Sequence, residues 1–234
     1  MKKTLFKGCC TALVTPFDKA GNINYFELKR LIEFQIVSGV NAIVILGTTG
    51  ESSTISDNER ETMIRFCVAE ANGKIPLIVG TGSNSTKKAI ELTKQAENLG
   101  ANGVLIVTPY YNKCSQSGLY EHYKAISKST NIPIIIYNVP SRTGVNVLPK
   151  TAIRISKLKN IVGIKEASGN IQQICELIKN KPRNFHVYSG DDLITFPMLC
   201  MGASGVVSVT ANCYPYEVST LCKNVFDENF FYFF

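Results

Sequence analysis

A lysine at the end of an apolar run is the first residue in this sequence that invites a chemical reading. The stretch Ile161-Val162-Gly163-Ile164-Lys165-Glu166-Ala167-Ser168-Gly169 reads as a short strand that ends in Lys165 and turns at Gly169. Strand side chains alternate, so Ile161, Gly163 and Lys165 are expected on one face and Val162, Ile164 and Glu166 on the other. Gly163 is expected to leave room beside the amine. An amine among apolar groups loses the hydration that favours its charged form, and its pKa falls. A partly neutral amine attacks a ketone and forms a Schiff base. The alternative is a strand-end lysine that only reaches solvent, and Lys165 alone does not choose between the two.

Its companions shift the balance. Other apolar runs end in Gly47-Thr48-Thr49-Gly50-Glu51-Ser52, in Thr108-Pro109-Tyr110-Tyr111-Asn112, in Tyr137-Asn138-Val139-Pro140-Ser141-Arg142-Thr143-Gly144 and in Ser189-Gly190-Asp191-Asp192. Amides and hydroxyls around Thr48 and Thr49 can hold a carboxylate. Tyr137 ends the run preceding that of Lys165, where its phenol could pass protons to and from a carbinolamine. Arg142 could take a second carboxylate in a bidentate pair. Each has a plain structural alternative: Thr48 as a turn former, Tyr137 as a core aromatic, Arg142 as half of a surface ion pair. Their occurrence together, at the ends of successive runs, favours a keto acid bound as an imine and an acidic partner substrate.

These residues need a scaffold that brings many strand ends to one place. Eight short apolar runs are present: Cys10–Val14, Ala42–Leu46, Pro76–Val79, Gly103–Val107, Pro133–Tyr137, Ile161–Lys165, His186–Ser189 and Gly205–Val209. Between them lie stretches with helix signals. Asn24 with Glu27, and Ser56 with Glu59, read as capping boxes. Leu28, Leu31, Ile32, Gln35 and Ile36 recur at helical spacing with one polar exception, and Gly39, Gly73 and Gly100 sit where a left-handed residue closes a helix. Further helical stretches are Ser85–Leu99, Gly118–Ser129, Pro149–Leu158, Asn170–Asn180, Leu193–Met201 and Pro215–Phe226. Eight alternating units predict a (β/α)8 barrel, an α/β fold whose active sites lie at the carboxyl ends of the strands. An open doubly wound sheet would carry a glycine-rich turn after its first strand, and here Thr15-Pro16-Phe17-Asp18 follows instead. The barrel is expected over residues 1–226, with 227–234 as an aromatic tail ending in Phe230-Phe231-Tyr232-Phe233-Phe234.

Composition narrows the function. The 234 residues are 45% hydrophobic and 18% charged, as in a globular protein with a real core. The net charge of +7 comes from scattered basic residues, which argues against nucleic-acid binding and for attraction of small anions. No apolar run is long enough to span a membrane, and Lys7-Gly8 interrupts what begins like a signal peptide, so a cytoplasmic protein is expected. The eight cysteines form no C-x-x-C and only His122 and His186 accompany them, so no metal site is expected and most cysteines should be small core residues.

The motifs GTTGES (47–52), TPYYN (108–112), YNVPSRTG (137–144), GIKEASGN (163–170), SGDD (189–192) and GVVSVTAN (205–212) resemble those of the dihydrodipicolinate synthase family, within the N-acetylneuraminate lyase superfamily of pyruvate-dependent class I aldolases. The resemblance runs from about Phe6 to about Asn224. It implies that Lys165 forms the Schiff base with pyruvate and that Tyr137 relays protons. Thr48 would link Tyr137 to Tyr111, the latter reaching in from the neighbouring subunit of a tight dimer. Thr49 would bind the pyruvate carboxylate with Thr48, Arg142 would bind L-aspartate 4-semialdehyde, and Gly190 and Val207 would line the pyruvate pocket. No cofactor is implied beyond the covalent pyruvate imine. The implied reaction is the committed step towards diaminopimelate and lysine, and the implied assembly is a homodimer or homotetramer.

Sialic-acid lyases and sugar-acid aldolases of the superfamily usually have Ser where Thr48 stands and lack the arginine, so Thr48 with a buried Arg142 favours the synthase. In the lysine-feedback site of some members, Ser52, Asn84 and Tyr110 match, but Asp57 or Arg60 and Lys88 stand where a histidine and a glutamate do. The cation at Lys88 predicts weak or absent inhibition by lysine. Family members also continue into a C-terminal helical region that this sequence lacks. The alternative of a different class is therefore a barrel that binds pyruvate-like acids, or associates with a full-length subunit, without turnover.

Overall fold

The computed structural model describes residues 4–229. Eight parallel strands close into a barrel in chain order, β1 (Gly8–Ala12), β2 (Ala42–Ile45), β3 (Leu77–Gly80), β4 (Gly103–Val107), β5 (Ile134–Asn138), β6 (Ile161–Glu166), β7 (His186–Ser189) and β8 (Gly205–Ser208), with β8 returning to β1. This is the (β/α)8 barrel expected from the eight units. The helices are α1 (Tyr25–Val37), α2 (Asp57–Ala71), α3 (Thr86–Asn98), α4 (Gln116–Ser129), α5 (Pro140–Thr143), α6 (Pro149–Ile155), α7 (Ile171–Asn180), α8 (Thr195–Cys200) and α9 (Pro215–Phe226). The stretch read as one helix over Leu193–Met201 is a 3-10 turn at Asp192–Ile194 followed by α8. The one-turn α5 had no periodicity to reveal it; a proline starts it and the left-handed Gly144 ends it. The tail expected over 227–234 lies outside the described residues from Phe230 on.

Local chemistry explains the helix ends. Ser56 and Glu59 form a reciprocal capping box. Asn24 accepts from the Glu27 amide, but the Glu27 carboxylate pairs with Arg30 rather than reaching back, so that box is half made. Gly39, Gly73 and Gly100 all take positive φ. Gln35, the polar exception on α1, is fully buried; it accepts from the Thr11 hydroxyl and donates to the Ala211 carbonyl. Of the eight cysteines, Cys9, Cys10, Cys67 and Cys222 are buried and Cys114 is half-buried, while Cys175, Cys200 and Cys213 are exposed, fewer core cysteines than expected.

Two apolar layers hold the barrel. The outer one packs strand residues such as Ile43, Val79, Ile106 and Ile164 against the helices. The inner one fills the barrel with Cys10, Ala12, Val44, Ile78, Leu105, Ile135, Tyr137, Val162, Tyr188 and Val207 above Leu5 and Phe6. Below, Phe6 stacks on Tyr188 with ring centroids 4.2 Å apart, and the Tyr188 hydroxyl donates to the Phe6 carbonyl. This seals the amino-terminal floor.

Strand β6 departs from strict alternation. Ile134 pairs with Ile161, but the next residue, Ile135, pairs with Gly163, so β6 steps forward by one residue. Ile161 consequently joins the outer layer and Val162 the inner one, the reverse of the simple period. Above the step the expected phase holds: Ile164 packs outward and the pairing places Lys165 beside Tyr137.

Candidate active site

Lys165 and Tyr137 occupy paired positions near the carboxyl ends of β6 and β5. The lysine is 5% exposed and the tyrosine 7%. The Lys165 ammonium nitrogen lies 4.3 Å from the centroid of the Tyr137 ring. Burial brings the Lys165 pKa down to about 8, with Arg142 pushing the same way and Asp192 opposing. Cys10 stands beside the amine, but burial drives its own pKa well upward, so it remains a neutral thiol and supplies no counter-charge. Burial also raises the Tyr137 pKa, partly offset by Arg142. Tyr137 therefore keeps its phenol proton, and the amine over its ring is neutral in appreciable amount near pH 8.

The space around the amine is shaped by glycines. A side chain on Gly190 would meet Ala167 Cβ at 2.8 Å and Lys165 Cε at 2.9 Å, so glycine lets that loop lie against the lysine without displacing it. The room beside Gly163 is not open: the Tyr188 ring fills it, and a Cβ there would come within 3.0 Å of Tyr188 Cε2. Sequence reading supplied the gap but not its occupant. Val207 is buried in the inner layer with Tyr137 and Tyr188.

A cavity of about 490 Å³ opens at the rim, and its walls include Thr48, Arg60, Lys88, Val107, Tyr110 and Arg142. A narrower pocket below it joins Thr48 to Tyr137 through Gly80, Gly82, Leu105 and Val107. Thr48 thus sits where the two spaces meet. Thr49 is partly exposed and lies outside both. The expectation of a buried Arg142 is not met. Arg142 is exposed, because the short α5 carries it on the rim with the open cavity on one side. In this chain it makes no argument from an unpaired buried charge. Tyr111 is 89% exposed and held at φ +75°, its amide donating to the Thr143 carbonyl. It does not reach Tyr137 within this chain. Lys88 is not a lone cation either: it pairs with Asp57 at 2.9 Å, and Arg60 behind it is 7% exposed and donates to the Gly80 carbonyl.

Several contributors escaped the sequence reading. Leu46 leaves β2 at φ +55°, with its carbonyl pressed against Gly80, which turns the chain into the Thr48 loop. No sequence signal marks an αL leucine. Asp192 accepts from the Val209 and Thr210 amides, tying the β7 and β8 loops together. On the outer face, Glu166 and Asn138, the residues after Lys165 and Tyr137, are fully buried and hydrogen-bonded to each other.

A closed barrel with a desolvated lysine and a tyrosine at its carboxyl-end rim defines a lysine-centred (β/α)8 enzyme. Comparison with known proteins agrees and is narrower. The sequence pattern of the dihydrodipicolinate synthetase family matches residues 5–230. The 4-hydroxy-tetrahydrodipicolinate synthase of Thermotoga neapolitana is 54% identical over 229 residues, covering 96% of this chain and 78% of that protein. The crystal structure of dihydrodipicolinate synthase from Thermotoga maritima superposes with a TM-score of 0.95 at 51% identity, covering 97% of this chain and 78% of that one. The chloride-inhibited enzyme from Acinetobacter baumannii, complexed with pyruvate, gives 0.94 at 46% identity, with 97% and 77% covered. This chain belongs to the dihydrodipicolinate synthetase family, whose named members here are lyases of the aldolase kind. No helix among the described residues is long and apolar enough to cross a membrane.

Proposed function

We propose that this chain condenses pyruvate with L-aspartate 4-semialdehyde, with loss of one water, to give 4-hydroxy-tetrahydrodipicolinate in diaminopimelate and lysine biosynthesis. The observation that carries this reading is the buried Lys165 amine, its pKa lowered to about 8, against the Tyr137 ring. The neutral amine adds to the pyruvate ketone, and Tyr137 passes protons so that the carbinolamine loses water to the imine. Loss of a methyl proton gives an enamine that attacks the aldehyde, and the substrate's own amine then displaces Lys165 as the ring closes. Thr48 and Thr49 hold the pyruvate carboxylate, and Gly190 and Val207 shape its pocket. Arg142 binds the semialdehyde carboxylate. Tyr111, exposed here, completes the relay from a second copy in a homodimer or homotetramer. The scheme draws on no metal or organic cofactor. It takes residues 1–226 as the catalytic domain and the cytoplasm as its compartment.

The test is borohydride trapping with pyruvate followed by peptide mapping, then turnover of the semialdehyde beside N-acetylneuraminate. A reduced adduct on Lys165 and turnover of the semialdehyde alone are expected. Absence of an adduct on the folded chain overturns the reading. Lysine is expected to inhibit weakly, since Arg60 lines the rim cavity and Lys88 occupies the Asp57 carboxylate that could otherwise take the ligand's ammonium; strong inhibition in a dose–response curve would remove that part.

A further inference from the structure

The catalytic pair has a twin on the other side of the same two strands. Glu166 follows Lys165 and Asn138 follows Tyr137, so both face outward, and both are fully buried. The Asn138 amide nitrogen donates to the two Glu166 carboxylate oxygens at 3.2 and 3.0 Å. The Ser168 amide donates to the same carboxylate at 2.7 Å. A buried carboxylate surrounded by neutral donors rather than a cation is costly to maintain, and it is kept only where its acceptors are all used.

What Asn138 does with its remaining groups gives the carboxylate a task. Its amide nitrogen also reaches the Asn146 side-chain oxygen at 2.9 Å, and its own oxygen accepts from the Val147 amide at 2.9 Å. Asn146 is locked in turn by Gln173 on α7. The segment between Asn138 and Val147 leaves the barrel ladder, carries Arg142 on α5, and offers the Thr143 carbonyl to the Tyr111 amide. Its far end is also braced by Gln116, which bonds Asn146 and Leu148, and by the Thr143 hydroxyl, which bonds Val145. Lys165 needs no such help, because its strand is laddered on both sides, to Tyr137 and to Tyr188.

We propose that Glu166 and Asn138 are a positioning pair that sets the Arg142 loop against Lys165, and so governs recognition of the second, acidic substrate rather than imine formation with the first. Glu166 fixes the orientation of the Asn138 amide from the barrel side, with the Asn146 oxygen accepting from the same nitrogen on the loop side. The Asn138 oxygen is then left for Val147, which closes the loop at the right length. The pair acts through Arg142 and touches no substrate. This inference rests on the two-substrate reading above.

The experiment compares Glu166→Gln, Asn138→Asp and the double swap in the full chain. Glu166→Gln leaves a single acceptor oxygen for the two donors, Asn138 and the Ser168 amide, that now share the carboxylate; Asn138→Asp sets a second carboxylate against the first; the double swap lets the new glutamine nitrogen donate to the new carboxylate while its oxygen stays with Ser168. Each single variant is expected to trap pyruvate on Lys165 at concentrations within about threefold of the parent, while KM for the semialdehyde rises about tenfold; the swap recovers most of that rise. Tryptic cleavage after Arg142 should quicken about tenfold in the single variants and slow again in the swap. Parallel loss for both substrates, unchanged kinetics in both single variants, or additive damage in the swap overturns the proposal. If Glu166→Gln does not fold, Asn138→Asp and the swap decide it. If the parent fails to turn over the semialdehyde, the functional reading falls, while the tryptic comparison still shows whether the pair holds the loop.

Discussion

The two ends of the barrel treat their polar groups in opposite ways. At the floor, the Tyr188 hydroxyl is spent on the Phe6 carbonyl, and His186 is bonded by Thr4 on one side and Ser204 on the other. At the rim, Lys165 is buried beside a ring face, Arg142 and Tyr111 are exposed, and Tyr111 and Leu46 sit at positive φ. The floor is organised to persist and the rim to react. Groups left undersatisfied at the rim cost stability, which the packing of the floor and outer layer offsets.

That contrast is open to direct attack. The largest effect is expected from Lys165→Ala: no adduct with pyruvate and turnover below detection, with a melting temperature equal to or above the parent's because a desolvated amine has been removed. A clear drop in melting temperature would mean that the rim also carries the fold. Next is Phe6→Ala at the floor, which removes a buried ring and should cost about 3–5 kcal/mol in denaturant unfolding. At a temperature where this variant is still folded, its pyruvate trapping should match the parent's; lost trapping would break the division of labour. Arg142→Ala should raise KM for the semialdehyde by about 2 kcal/mol, near thirtyfold, the lower end for a charge pair because the residue is exposed. Its unfolding midpoint should not move.

Smaller still is the effect of pH on trapping. With its pKa lowered to about 8, Lys165 is neutral in about a tenth of molecules at pH 7 and about half at pH 8. The trapping rate should therefore climb about fivefold over that interval and level off above about pH 9. A rise continuing steadily towards pH 10 would place the amine in water instead. The least change is expected from Tyr188→Phe, which deletes one floor hydrogen bond for about 1 kcal/mol and leaves both KM values in place.

Much of this was legible in the sequence, and the parts that were not share a cause. The barrel followed from eight repeats of a strand and a helix, each carrying its own local signals. That Lys165, Tyr137 and Thr48 gather near the carboxyl ends of the strands was readable because strand ends in a barrel converge. The phase of Ile161 and Val162 was not, because a register step is a relation between β6 and β5 and leaves no mark on β6 alone. The exposure of Arg142 hinged on a four-residue helix too short to show a period. Tyr188 as the filler beside Gly163, and Glu166 as partner of Asn138, likewise join residues on different strands. Sequence shows what each segment prefers; the contacts between segments decide where its side chains end up.

The step in β6 bears on how this barrel tolerates changes of length. In a strand of unbroken alternation, removing one residue turns every later side chain over, core to helix and helix to core. In β6 the surplus residue is already present. A chain lacking Val162 would alternate regularly from Ile161 outward to Lys165 inward and would lose only one interior side chain. A lineage shortened by a single codon, or an engineer resizing the barrel, would find in β6 a strand that can drop a residue while its reactive amine stays on the same side.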